Sequence, residues 1–245
     1  MSEVEKLIAS ALSQIGYEEP NHDNGQKYGE FIDSTTWYLY KEGSKTWVHK
    51  VNFHDWCTQF VDWNFLSCFG IDTARKILNR PDYNNYGAVV KYQYKYFEQA
   101  GRTGKTPKRG AVIFFQNSDG LCHVGIVSDF DNETVTTIEG NAGRNNYFVV
   151  QNRYKLTDKY IYGFGYPDYE AATKYPETPF QAHNILKGVA IKSSPYGGTD
   201  NIIGYIQLNK DVQIEALSGV SGDFGKITGF VYLPKGFTID GKPIE

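Results

Sequence analysis

The amino-acid sequence predicts an α+β fold in which helices pack on an antiparallel sheet and a small all-β barrel follows. Three observations carry this. Apolar residues recur at three- and four-residue steps in stretches of the first hundred positions, which read as helix and loop, and from Gly110 they gather into short strand-like runs. After a proline-rich stretch they give way to brief β segments separated by turn signals. A chain of 245 residues, 40% hydrophobic and 22% charged, is long enough for one or two cores without help from disulfides.

The first helix is expected over residues 1–16. There Val4, Leu7, Ile8, Ala11, Leu12 and Ile15 share a face, Ser2 caps the start and Gly16 stops the run. Glu3 and Glu5 stand where a secretion signal would carry lysines. The chain is therefore read as made in the cytoplasm without a leader, although a secreted form with its leader removed would look the same. No apolar run approaches the roughly 18 residues needed to cross a bilayer. Residues 17–56 read as irregular. A second helix is expected to start after Asp55 as N-cap, to present Cys57, Phe60, Val61, Phe65 and Cys68 on one face, and to end at Gly70. A third spans about residues 85–100, with Val89, Val90, Tyr94 and Phe97 on one side.

Strands are expected over 111–116, 122–128, 134–139, 147–151 and 160–166, with residues 117–120 as a turn. Residues 166–182 hold three of the nine prolines and no clean periodicity. This sets a first domain at 1–169, a linker at 170–182 and a second domain at 183–245. Residues 181–245 hold six lysines, no arginine, four aspartates and two glutamates, a neutral balance that suits a binding module.

Composition removes several function classes. A formal net charge of −3 argues against a nucleic-acid binder, which would carry a basic stripe. Three cysteines, an odd number with no C-x-x-C pair, exclude a disulfide-stapled scaffold and a zinc knuckle. Cys57 and Cys68 lie eleven residues apart on one expected helix. At ~1.5 Å per residue that is ~16 Å, too far for a disulfide. Cys122 is expected to turn away from the face that His123 presents, and to be packed like Cys68.

Cys57 opens a helix, where backbone N–H groups and the helix dipole favour negative charge on sulfur. That placement suits a nucleophile, although a lone cysteine is more often structural. His123 opens the apolar run His-Val-Gly-Ile-Val, and Glu139 and Asn141 end the next strand. A hairpin brings those two strand ends together, so the acid or the amide can reach the imidazole and fix its orientation.

These residues carry a family resemblance. Asp55-Trp56-Cys57, the run from Pro107 to Phe115, His123-Val124-Gly125-Ile126-Val127 and Ile138-Glu139-Gly140-Asn141 resemble, in order and rough spacing, the CHAP family (cysteine, histidine-dependent amidohydrolase/peptidase). Gln14 to Tyr17, Lys27-Tyr28-Gly29 and Gly163 to Pro167 add to the likeness, which covers about residues 1–169. The resemblance implies a papain-like domain with Cys57 as nucleophile, His123 as general base and then acid, and Glu139 as orienter, with Asn141 as a further catalytic candidate. It also implies hydrolysis of an amide bond of peptidoglycan, by an N-acetylmuramoyl-L-alanine amidase or a stem or cross-bridge endopeptidase. Tyr28, Trp56 and Gln59 are the expected substrate contacts, with Tyr28 and Gln59 as candidate oxyanion donors beside the Cys57 N–H. Where the family has Pro-Gly-Asp before the apolar strand, this sequence has Arg109-Gly110-Ala111.

The tail resembles a bacterial Src-homology-3-like domain through Gly188 to Pro195, Ile203 to Ile206, Val212 to Ile214, Gly225 to Ile227 and Gly229 to Tyr232. The implied partner is the Gram-positive wall, with Tyr196, Tyr205, Phe224 and Tyr232 as candidate groove residues. No cofactor is expected. Zinc on His54, Cys57, Cys122 and His123 is disfavoured because neighbours on a strand point to opposite faces, and calcium is a candidate only at Asp129, Asp131 and Glu133 or at residues 20–25. The expected whole is a phage-type endolysin or an autolysin. The alternatives are an inactive wall-binding protein and an amidase acting on a non-wall substrate.

Overall fold

The computed structural model describes residues 2–84 and 86–173, with side chains through residue 171, and beyond them the backbone of strands between residues 180 and 243. The chain divides into two compact units, Met1–Lys174 and Tyr175–Glu245.

The first unit opens with helix α1 (Glu3–Leu12), where the Ser2 hydroxyl accepts from the Glu5 N–H at 3.2 Å. Leu7, Ile8 and Ala11 are buried. Leu12 and Ile15 are not, because the helix ends at Leu12 and the chain turns before Gly16, whose φ is +88°.

The stretch expected to be irregular contains helix α2 (Lys27–Asp33) and a hairpin of β1 (Leu39–Glu42) and β2 (Lys45–Val48). Helix α2 starts on a glutamine: the Gln26 side-chain oxygen accepts from the N–H groups of Tyr28 at 2.7 Å and Gly29 at 2.9 Å. Glutamine stands outside the usual N-cap set, so composition hides this start. The hairpin turns on Gly43-Ser44, with Gly43 at φ +57°, the positive-φ geometry that two-residue hairpin turns require.

Helix α3 spans Cys57–Leu78, with Trp56 as N-cap residue and no side-chain cap bond, so Asp55 does not cap it. Gly70 (φ +71°, ψ 168°) kinks the helix rather than ending it. The chain returns to helix and buries Ala74, Ile77 and Leu78 before Asn79 closes it in the left-handed region. Helix α4 (Val90–Gln99) begins later than its apolar pattern suggests and buries Val90, Gln93 and Phe97, leaving Val89 half exposed.

The sheet combines β3 (Thr103–Gly104), β4 (Val112–Asn117), β5 (Gly120–Phe130), β6 (Thr134–Ala142), β7 (Phe148–Lys155) and β8 (Ile161–Gly165), all antiparallel, in the order β3-β8-β4-β5-β6-β7. Strand β4 is buried on both faces. Val112 and Phe114 meet the helices, while Ile113 and Phe115 join Val127, Val135 and Phe164 on the other side. Arg109 ties α1 to the sheet, donating to Ser128 O at 2.7 Å and to both Glu5 carboxylate oxygens at 2.9 and 3.1 Å.

Part of the expected linker is helical, since α5 covers Glu170–Thr173. Just before it, Tyr169 packs on Phe65 and Phe69 and donates its hydroxyl to Gly110 O at 2.6 Å. In the second unit β9 (Phe180–Asn184), β12 (Lys210–Ser218) and β13 (Phe224–Ile227) form one antiparallel sheet. Strands β10 (Val189–Lys192) and β11 (Ile202–Ile206) pair separately, as do β14 (Thr238–Ile239) and β15 (Lys242–Pro243). Tyr196 and Tyr232 lie outside the described residues; Tyr205 and Phe224 are placed only as backbone, opposite Ala190 and Ser218.

Candidate active site

Strands β5 and β6 pair with Ile126 opposite Ile138 and Val127 opposite Thr137, which brings the start of β5 beside the end of β6. There His123 Nε2 lies 2.9 Å from Glu139 Oε2. Cys57, the first residue of α3, lines the same cleft as the imidazole. Glu139 is 1% exposed, so its charge has to be met by protein groups. Thr137 donates to Oε1 at 2.5 Å, and the Tyr154 hydroxyl donates to Oε2 at 3.2 Å. Alternation places Thr137 and Glu139 on one face of β6, beside Asn152 and Tyr154 of β7.

Burial alone would lower the His123 pKa, but hydrogen bonds to Cys57 and Glu139 override it and raise it to about 10. Burial would raise that of Glu139, and the His123, Thr137 and Tyr154 bonds bring it below the usual carboxylate value instead. Each partner thus favours the charged form of the other. At the start of α3 the first backbone N–H groups have no partner within the helix, so they remain available to a developing negative charge.

Two glycines let these elements meet. A Cβ on Gly140 would lie 2.5 Å from Phe60 Cβ, so the bare backbone there allows α3 to sit close to β6. A Cβ on Gly125 would lie 2.6 Å from Glu139 Cγ and 3.1 Å from Ile138 O. Gly125→Ala therefore displaces Glu139 from the imidazole, and turnover is expected to fall about 100-fold with the fold intact. Steady-state kinetics beside circular dichroism checks this; unchanged kcat would mean the contact is relieved elsewhere.

The three groups open onto a cleft of about 370 Å³ lined also by Asp55, Cys122, Asn141, Asn146, Asn152 and Tyr154. Not every expected site residue reaches it. Tyr28 and Trp56 are fully buried, stacked on each other with ring centroids 5.6 Å apart, and Trp56 Nε1 donates to buried Glu19 at 2.8 Å. Gln59 is 1% exposed; its amide donates to Val51 O at 2.7 Å and accepts from Gln26 at 2.6 Å. These three brace α3 against α2 and do not line the cleft. Asn141, in the left-handed region at φ 54°, donates to Asp55 Oδ1 at 3.4 Å and has no recorded bond to His123. Cys122 is exposed, not packed.

Sequence reasoning missed Thr137, Tyr154 and Glu19. Thr137 was recoverable from strand alternation, two residues before Glu139 on the same face, whereas Tyr154 stands opposite Val135 and reaches Glu139 only through its long side chain. Two of the carboxylates named for calcium have protein partners: Asp131 accepts from the Glu133 and Thr134 N–H groups and from Arg153, and Asp129 pairs with Arg109. Among the described residues no helix is long and apolar enough to cross a membrane.

No curated protein matches the chain. Two solved structures align with most of it. The crystal structure of Ly7917 shares 13% identity over 88% of this chain and 84% of its own, with a TM-score of 0.42. The crystal structure of Ly7917 with the hydrolyzing product of MDP shares 14% over 86% and 83%, with a TM-score of 0.39. Residues 36–141, the stretch that carries Cys57, His123, Glu139 and Asn141, match the family model of the CHAP domain.

Proposed function

We propose that the protein hydrolyses an amide bond of bacterial peptidoglycan by cysteine nucleophilic catalysis, acting on the Gram-positive wall as an N-acetylmuramoyl-L-alanine amidase or as a stem or cross-bridge endopeptidase. The observation that carries this reading is the His123 imidazole held between Cys57 and Glu139 beside an open cleft. The match of residues 36–141 to the CHAP domain supports it. In this reading the Cys57 sulfur attacks the carbonyl carbon and forms the S–C bond. His123 passes its proton to the leaving nitrogen as the C–N bond breaks. A water that has lost its proton to the now neutral imidazole then attacks the thioester, the C–S bond breaks, and the proton on His123 restores the starting pair. Glu139 stays ionised throughout and holds the imidazolium. The second unit serves as the wall-binding module.

Incubating purified Gram-positive walls with the protein tests this. Turbidity should fall, and mass spectrometry of the released fragments should show which amide bond opened. Intact walls after prolonged incubation with folded protein would overturn the proposal.

The charge pair also fixes a pH dependence. The folded His123 value, about 10, lies above the ordinary 6.5, so its contribution to stability is full below pH 6.5 and is lost as pH rises toward 10. Glu139 is depressed, so its contribution is present above about 4.5 and lost as pH falls through its folded value. Activity is expected to persist to about pH 9 and to fall near pH 10, as the imidazolium that protonates the leaving group disappears. In Glu139→Gln this alkaline limb moves down by about one to three pH units. A limb that stays in place in kcat–pH profiles would show that Glu139 does not set the imidazole's charge.

A further inference from the structure

Asp55 presents a conflict within the site. Its side chain is exposed, lines the same cleft as Cys57 and His123, and lies two residues before the cysteine. Negative charge there opposes the charge that builds on the sulfur and on the oxyanion. Among the described residues lining the cleft, His123 is the only cationic group, and it already serves Cys57 and Glu139. The other polar lining groups are neutral: the Asn141, Asn146 and Asn152 amides and the Tyr154 hydroxyl. Asp55 accepts one bond, from Asn141 at 3.4 Å to Oδ1; among the described residues no hydrogen bond to Oδ2 is recorded. Nor does its side chain cap α3, so the usual structural use of an acid at this place is not what holds it.

We propose that Asp55 is a specificity residue that pairs with a primary ammonium group of the substrate, so that the cleft selects peptides carrying a free amine close to the bond that is cut. The neutralising cation comes with the substrate, and the like-charge cost is relieved only when the right substrate is bound. A peptide bearing a carboxylate in that place meets Asp55 as repulsion. This inference rests on the hydrolase reading and deepens it to a substrate class.

The experiment uses one wall preparation whose stem peptides carry free lysine amines, divided into native, N-acetylated and N-succinylated portions. Acetylation removes the positive charge, and succinylation replaces it with a negative one. Wild-type kcat/KM should favour native over acetylated walls by about fivefold, the size of one partly exposed ion pair, with succinylated walls slower still and the preference shrinking in high salt. In Asp55→Asn the native-to-acetylated ratio should approach one, and in Asp55→Lys succinylated walls should become the favoured portion. A merely structural role for Asp55 would change thermal stability in Asp55→Asn and leave the ratio where it was. Equal wild-type rates on native and acetylated walls, or a ratio unchanged in both variants, would overturn the inference while leaving the hydrolase reading standing. No hydrolysis of any portion would overturn both.

Discussion

In the proposed reaction, Cys57→Ala should lower wall hydrolysis on the order of 10⁶-fold, because it removes the sulfur that forms the thioester. His123→Ala is expected to cost nearly as much, and the double variant little more, since sulfur and imidazole act as one unit. The substitution removes one atom from a residue that is 4% exposed, so circular dichroism and the unfolding midpoint should change little. The informative control is Cys122, whose exposed sulfur borders the same cleft. Cys122→Ser should retain clearing. Clearing by Cys57→Ala above about one hundredth of the wild-type rate would assign the chemistry to another group, with Cys122 the first to test.

The second large effect concerns stability. Asp62 lies on α3 five residues after Cys57, with no exposed surface, and it gathers four donors. Trp37 Nε1 reaches it at 2.8 Å, the Tyr38 hydroxyl at 2.5 Å, the Gln93 amide at 3.0 Å and the Arg80 guanidinium at 3.4 Å. One carboxylate thereby ties α3 to the β1 approach, to the end of its own kinked half and to α4. Asp62→Ala leaves a buried Arg80 without its counter-charge and three polar donors without an acceptor. The expected cost is about 3–5 kcal/mol, read as a lower urea midpoint at unchanged slope. Asp62→Leu combined with Arg80→Met should recover part of the loss, because no uncompensated charge is then buried. A loss below about 1 kcal/mol for Asp62→Ala would mean that water enters the site and replaces the carboxylate.

Asp62 also shows where sequence reading stopped. The helix that carries it was visible from its apolar face, and Cys57, His123 and Glu139 were legible because each stands at the edge of a patterned element. Asp62 interrupts that pattern, and its partners at 37, 38, 80 and 93 are distant in sequence. Nothing local distinguishes it from a solvated aspartate. The same holds for Glu19, whose burial depends on Trp56 arriving from 37 residues away. Tyr28, Trp56 and Gln59, expected as substrate contacts, are buried around α3 and do not line the cleft, because adjacency in sequence does not tell whether a side chain supports a site from within or faces its opening. Gly70 misled for a related reason. A glycine at positive φ can end a helix or redirect it, and the apolar residues beyond it decide which.

The division of the site between one hairpin and one helix bears on how the site comes into being. His123 and Glu139 are 16 residues apart on paired strands, a contact that costs little loop entropy and can form early. Cys57 is 66 residues before His123, and the two meet only when α3 settles onto β6 at Gly140. Cys57 is therefore brought to the imidazole by the docking of α3 on β6 rather than by local folding. A chain still being synthesised holds the sulfur apart from the imidazole, and the two groups come together only in the folded unit.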